Sequence, residues 1–317
     1  MEINGIPNDG HTLYKAKSNE EFLRMFKDET TYSVIDLIGK FIPSDSIVAS
    51  VLGGSIPLGV GNKASDIDLL ILVDSVDQLN IPDEEEKLKI TFVGEYTDAD
   101  TNIVVTNVVA MVNRVEVDFS FVLTNRLRTL LDWLPKAKIA LTIQQVEILS
   151  RLKNGWVLGR REGAKRDVYN DMVDDVSLEI HCAVQNWVFA LQDMQDAQTS
   201  LNENLELALH LGRVCVENAF RSYFASKGVT HCGKKWLRLV RYFADPSNPR
   251  ASADFIPLSL IGLALLFPKP SFDREYVSSY ISDVRKFLAN LRALIETDLK
   301  FKLAFKLAPQ MEAHSIA

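Results

Sequence analysis

Two apolar runs joined by a glycine-rich loop constrain this chain more than any other stretch. From Ser50 to Val73 it reads SVLGGSIPLGVGNKASDIDLLILV. The first run, Ser46 to Leu52, and the second, Leu69 to Val73, have strand composition. Strand side chains alternate, so Asp66 and Asp68 share one face while Ile67 and Leu69 take the other. Two carboxylates that close repel unless a cation sits between them. Oxygen-only ligands suit Mg²⁺, which keeps several waters and takes phosphates as further ligands. Gly53 and Gly54 let the backbone approach an anion, with N–H groups that can point at phosphate oxygens. Ser55 adds a hydroxyl donor, and Lys63 within the loop can also touch phosphate.

A third acid lies further on. In Val115–Val122, VEVDFSFV, the residues Val115, Val117, Phe119 and Phe121 line one face. Glu116, Asp118 and Ser120 line the other. GGS, a spacer, DID before an apolar strand and a later strand carboxylate together resemble the signature of DNA polymerase β-type nucleotidyltransferases. That superfamily includes aminoglycoside nucleotidyltransferases, CCA-adding and poly(A) polymerases, and bacterial enzymes that make cyclic oligonucleotides. The resemblance covers roughly residues 46 to 122.

It implies that an NTP lays its triphosphate over Gly53, Gly54 and Ser55. Asp66, Asp68 and Asp118 would be the catalytic carboxylates and the ligands of Mg²⁺. Asp118 is a candidate to take the acceptor's proton, with Glu116 behind it and Glu179 or Glu217 from long helices as further candidates. Gly233-Lys234-Lys235-Trp236-Leu237 resembles the lysine-bearing segment that reaches the triphosphate in some relatives, which makes Lys234 a nucleotide-binding candidate. The bland explanation of that segment is an exposed lysine pair. For the acids, the bland explanation is a solvated strand face beside an ordinary glycine turn.

The 317-residue chain allows one large or two medium domains, and its formal net charge is −7. Proteins that track long nucleic acid usually carry a basic surface, so this balance argues against a polynucleotide substrate. Cys182, Cys215 and Cys232 lack a metal or redox spacing and read as reduced cysteines of a cytoplasmic protein. The longest apolar run, Ile256 to Phe267, is too short to cross a bilayer and reads as a buried helix. No signal-peptide pattern is present at the N-terminus.

Ser18 to Glu21 reads as a capping box opening a short helix. Thr30 to Ile42 reads as a second helix. Lys89–Thr97, Ile103–Val112 and Val115–Leu123 read as a meander, with turns at Asp98–Asp100 and Asn113-Arg114. After Leu123 helical periodicity dominates. Ile139–Lys153, Tyr169–Gln198, Leu205–Ser226, Gly233–Phe243 and Asp273–Leu307 read as helices. Gly155 to Arg166 reads as a basic turn region, with Arg160, Arg161, Lys165 and Arg166 as a patch. His181 and His210 lie within helices, and His231 lacks metal-site partners.

The expected fold is α+β: a mixed-sheet nucleotidyltransferase domain over residues 1–135, then an all-helical domain over 136–317 that binds the acceptor. The expected function is Mg²⁺-dependent transfer of a nucleoside monophosphate, AMP by preference, from an NTP to a hydroxyl of a small molecule such as an aminoglycoside. The alternatives are a cyclic oligonucleotide synthase, or a regulatory nucleotidyltransferase acting on protein or tRNA. No membrane partner is expected, and nothing in the sequence specifies an oligomeric state.

Overall fold

Ser18 opens the first helix, α1 (Asn19–Thr30), with its hydroxyl accepting from the Glu21 N–H at 3.2 Å. The reciprocal arm of the capping box is displaced by one residue: Glu21 accepts from the Lys17 N–H at 2.7 Å. The computed structural model describes residues 16–59, 61, 65–83, 87–98, 102–125, 127, 141–160, 177–230, 236–248, 251–271 and 273–307. Thr31 ends α1 in the left-handed region at φ 65°. Ser33 then caps a new helix, α2 (Val34–Gly39), which is shorter than the run of apolar residues suggested. Left-handed Thr31 and the Ser33 cap explain why the helix cannot begin at Thr30.

Contacts divide the chain into two units: residues 1–135 with 147–175, and residues 136–146 with 176–317. The first holds a sheet of β1 (Ile47–Leu52), β2 (Ile67–Val73), β3 (Leu88–Thr97), β4 (Val104–Val112), β5 (Val115–Leu123) and β6 (Trp156–Arg160). Their order is β3-β4-β5-β2-β1-β6. β3, β4 and β5 form the expected antiparallel meander, and β1 pairs antiparallel with β2. β2 and β5 run parallel, which makes the sheet mixed. Asn113 and Arg114 both take positive φ, 50° and 75°, as a two-residue hairpin turn requires.

One sheet face is packed with Ile67, Leu69, Ile71, Val117, Phe119 and Phe121 against residues of α1 and α2. The Phe41 ring lies 4.7 Å from that of Phe119 and 6.1 Å from that of Phe121, centroid to centroid. Burying aromatic surface on this side is what commits the alternate residues of β2 and β5 to the opposite face. β6 corrects the expected turn region: Trp156–Arg160 pairs antiparallel with β1 at the sheet edge. A five-residue run next to Gly155, with no alternation, gives little local sign of a strand.

The second unit is helical over its described residues: α4 (Ser177–Ser200), α5 (Leu205–Ser226), α6 (Trp236–Ala244), α7 (Phe255–Leu265), α8 (Arg274–Ile295) and α9 (Leu299–Leu307). The helix α3 (Ile143–Asn154) precedes β6, and its residues from Glu147 on belong to the first unit. The Phe220 ring on α5 contacts those of Trp236, Phe255 and Phe287, tying α6, α7 and α8 into one core. The expected single final helix is two, broken at Glu296–Asp298. α7 is not wholly buried as expected, since Leu260 is 65% exposed and Phe267, just beyond it, is 69% exposed. Among the described residues no helix is long and apolar enough to cross a membrane.

Candidate active site

The turn after β1 and the start of β2 build the centre of the site. Gly53 donates its N–H to the Asp68 carbonyl at 2.8 Å, which draws the turn onto β2. Gly54 sits at φ +69°, and a Cβ built there would lie 1.8 Å from Asp68 Oδ2. Both facts require glycine: the backbone region disfavours L side chains, and the Asp68 carboxylate occupies the space. At Gly53 an added Cβ would lie 2.6 Å from Arg151 Cγ. The glycines therefore admit a carboxylate and an arginine stem close to the backbone. The Gly53 N–H itself is taken by the strand pairing.

Asp68 and Asp118 are direct partners in the parallel β2–β5 register. Asp66 lies just before β2, two residues ahead of Asp68. One ligand oxygen from each of Asp66, Asp68 and Asp118 lies within 4.8 Å of the others. The three acids, one just before β2, one on β2 and one on β5, are close enough to hold a metal ion together. The cost shows at Asp118, whose carboxyl is pushed up to about 6. Burial is the largest cause, followed by the negative charges of Asp68 and Asp66; Arg151 opposes them, and Glu116 adds a little. Asp118 Oδ1 is buried and has no hydrogen-bond partner among the described residues. A buried, orphaned carboxylate oxygen beside two further acids fits a hard divalent cation.

Arg151 on α3 enters the same cluster. Its Nη2 donates to Asp68 Oδ1 at 3.1 Å and its Nη1 to Ser120 Oγ at 3.2 Å. The guanidinium also pairs with Glu147, one helical turn earlier. Ser120 in turn donates to Asn107 Oδ1 at 2.9 Å. Sequence reasoning does not single out Arg151, Ser120 or Asn107 as site residues. Arg151 stands far from the aspartates along the chain, and its spacing from Glu147 reads as an ordinary helix-surface ion pair.

The other candidates scatter. Ser55 is buried in the turn. Glu116 is exposed on the strand that carries Asp118. Lys63, Lys234 and Lys235 lie outside the described residues, as do Arg161, Lys165 and Arg166 and the side chain of Arg160. Glu217 pairs with Arg221, and Glu179 with Lys300 at 3.6 Å, so both carboxylates are engaged within the helical unit. Burial pushes the His181 imidazole down. Cys182 and Cys215 are buried thiols outside any disulfide.

The family comparison agrees with this geometry. Residues 36–134 match a nucleotidyltransferase domain family, a span that contains β1 to β5 and all three aspartates. Among solved structures, a nucleotidyltransferase-like protein from Exiguobacterium sibiricum matches at 13% identity, over 90% of this chain and 77% of that one, with a TM-score of 0.39. No curated protein matches significantly.

Proposed function

We propose that this chain, which carries a nucleotidyltransferase domain of the DNA polymerase β type, is a transferase that moves AMP from ATP to a hydroxyl of a small acceptor. The observation that carries the reading is the convergence of Asp66, Asp68 and Asp118 with a buried, unpartnered oxygen on Asp118. Asp66, Asp68 and Asp118 would hold Mg²⁺ through carboxylate oxygens. When bound, the metal supplies charge neutralisation at the phosphates and at the attacking oxygen. The glycine turn between β1 and β2, with Ser55, would receive the triphosphate; Lys63 and Lys234, the sequence's candidates for its outer charges, lie outside the described residues.

If the triphosphate lies over the glycine turn, on the β1 side of the aspartates, in-line displacement would bring the attacking hydroxyl from the β4–β3 side. Across that side Phe92, Val109, Asp118 and Asp68 are registered on four adjacent strands. Phe92 is 55% exposed, and its ring covers Gly94, where an added Cβ would lie 2.4 Å from it. A surface of one ring, a valine and nearby acids suits a compact, uncharged or cationic acceptor. The net charge of −7 likewise favours such a molecule over a polynucleotide. The acceptor oxygen would bond to the α-phosphorus as the bond to pyrophosphate breaks, and the hydroxyl proton would pass to the Asp118 carboxylate, the candidate base. Buried thiols at Cys182 and Cys215, outside any disulfide, suit a cytoplasmic setting.

The test is incubation with Mg²⁺ and each labelled NTP, with and without a panel of hydroxylated small molecules that includes aminoglycosides. Nucleotidylated product that needs the added molecule, and that is best with ATP, is the expected result. Oligonucleotide product from NTP alone, or label on tRNA or protein, would replace this acceptor class with another.

A further inference from the structure

Arg151 is hydrogen-bonded to Asp68, a member of the acidic cluster that could hold a metal. Its aliphatic stem lies against Gly53, since a Cβ there would meet Arg151 Cγ, Cδ and Cβ at 2.6 to 3.1 Å. Its side chain is 11% exposed and its head is shared among Asp68, Ser120 and Glu147. Asp68 Oδ1 accepts from the guanidinium, yet Asp68 is also one of the three residues able to ligate a metal. One positive charge here offsets part of the repulsion among three acids. A divalent ion at the same acids repels that charge and competes for the Asp68 oxygens. Glu147 already touches the guanidinium and is more open to solvent, 34% exposed against 14% for Asp68.

We propose that Arg151 is a positioning residue, a tethered cation that holds Asp68 in place before metal binds and moves onto Glu147 and the incoming triphosphate when it does. The inference rests on metal binding by the aspartates. It makes metal and nucleotide bind cooperatively, because the nucleotide's phosphates offer the displaced guanidinium a bidentate partner. Glu147, by receiving the arginine, lowers the cost of displacing it.

The test is Mn²⁺ binding to the full chain without nucleotide, followed by the free-ion EPR signal, alongside melting curves. Arg151→Met should bind Mn²⁺ roughly tenfold tighter than wild type, the effect of removing about one charge-assisted hydrogen bond's worth of competition. Glu147→Gln should bind several-fold more weakly, because the displaced arginine has lost its second partner. The double variant should bind like Arg151→Met alone, which distinguishes action through Arg151 from the separate loss of a negative charge. Arg151→Lys, which keeps the charge but not the fork, should fall between wild type and Arg151→Met, and it carries the test if Arg151→Met does not fold. An ATP analogue with a non-transferable α-phosphate should raise Mn²⁺ affinity in wild type more than in Arg151→Met. Unchanged or weaker Mn²⁺ binding by Arg151→Met, or an undiminished Glu147→Gln effect in the double variant, overturns the exchange. Mn²⁺ binding that ignores both Asp66→Asn and Asp68→Asn overturns instead the metal site on which the transfer reading stands.

Discussion

Asp118→Asn separates the stability role of this carboxylate from its chemical role. In the metal-free protein Asp118 is pushed from 3.8 to about 6, chiefly by burial and then by Asp68 and Asp66. At roughly 1.4 kcal/mol per unit that is a penalty of about 3 kcal/mol for holding the ionised form. Partial solvation and screening discount it to about 1–2 kcal/mol. The folded value lies above the unfolded one, so the folded protein keeps the proton longer. Stability therefore falls as pH rises from about 4 to about 6 and is flat above. Asparagine carries no such penalty. Asp118→Asn should melt about 2–6 °C above wild type at pH 7.5 without metal, and the gap should close towards pH 4. Added Mg²⁺ should raise the wild-type melting temperature and leave the variant nearly unmoved, because only the former has the complete ligand set. Nucleotidyl transfer should be lost in the variant throughout. Differential scanning fluorimetry from pH 4 to 8, with EDTA and then with Mg²⁺, reads all of this. An Asp118→Asn protein less stable than wild type at pH 7.5 in EDTA would refute the account of a carboxylate held against its neighbours.

Other outcomes follow from the same geometry. Asp66→Asn should abolish transfer and melt within about 1–2 °C of wild type, as expected of a half-buried ligand; retained activity removes Asp66 from the site. Gly54→Ala places a methyl on Asp68 Oδ2 and forces a residue to φ +69°. It should cost about 1–3 kcal/mol in stability and abolish metal binding, whereas Gly39→Ala, whose added methyl meets nothing within 4 Å, should change neither. Apparent Mg²⁺ affinity should climb about tenfold per pH unit below about 6 and level off above, since proton and metal compete for Asp118. Titrations at four pH values check this, and a flat profile contradicts it.

What could be read in advance and what could not divide along one physical line. Asp68 is the second residue of β2 and Asp66 lies just before it, two apart in a segment that reads as extended, so their nearness is a local property of the chain. Asp118 needs only the further fact that β2 and β5 are neighbours in register, and the apolar alternation of Val115 to Phe121 already commits it to the face away from the core. The break between α8 and α9 was also written locally: Asp298 accepts from the Lys300 N–H at 3.0 Å, an N-cap arrangement that the apolar periodicity masks. Arg151 is different. Its distance from Asp68 is 83 residues, and its helical neighbour Glu147 offers it a sufficient partner without any fold at all. Only the return of the chain after α3 to add β6 beside β1 fixes that helix near the glycine turn, and β6 has almost no pattern of its own. The acids of a strand site thus declare themselves through period two, while the cation that balances them depends on a crossover that short-range pattern does not encode. A search for such cations in other chains of this fold should start from the helix that leads into the edge strand beside β1, at a position whose stem can lie on the first glycine of the turn.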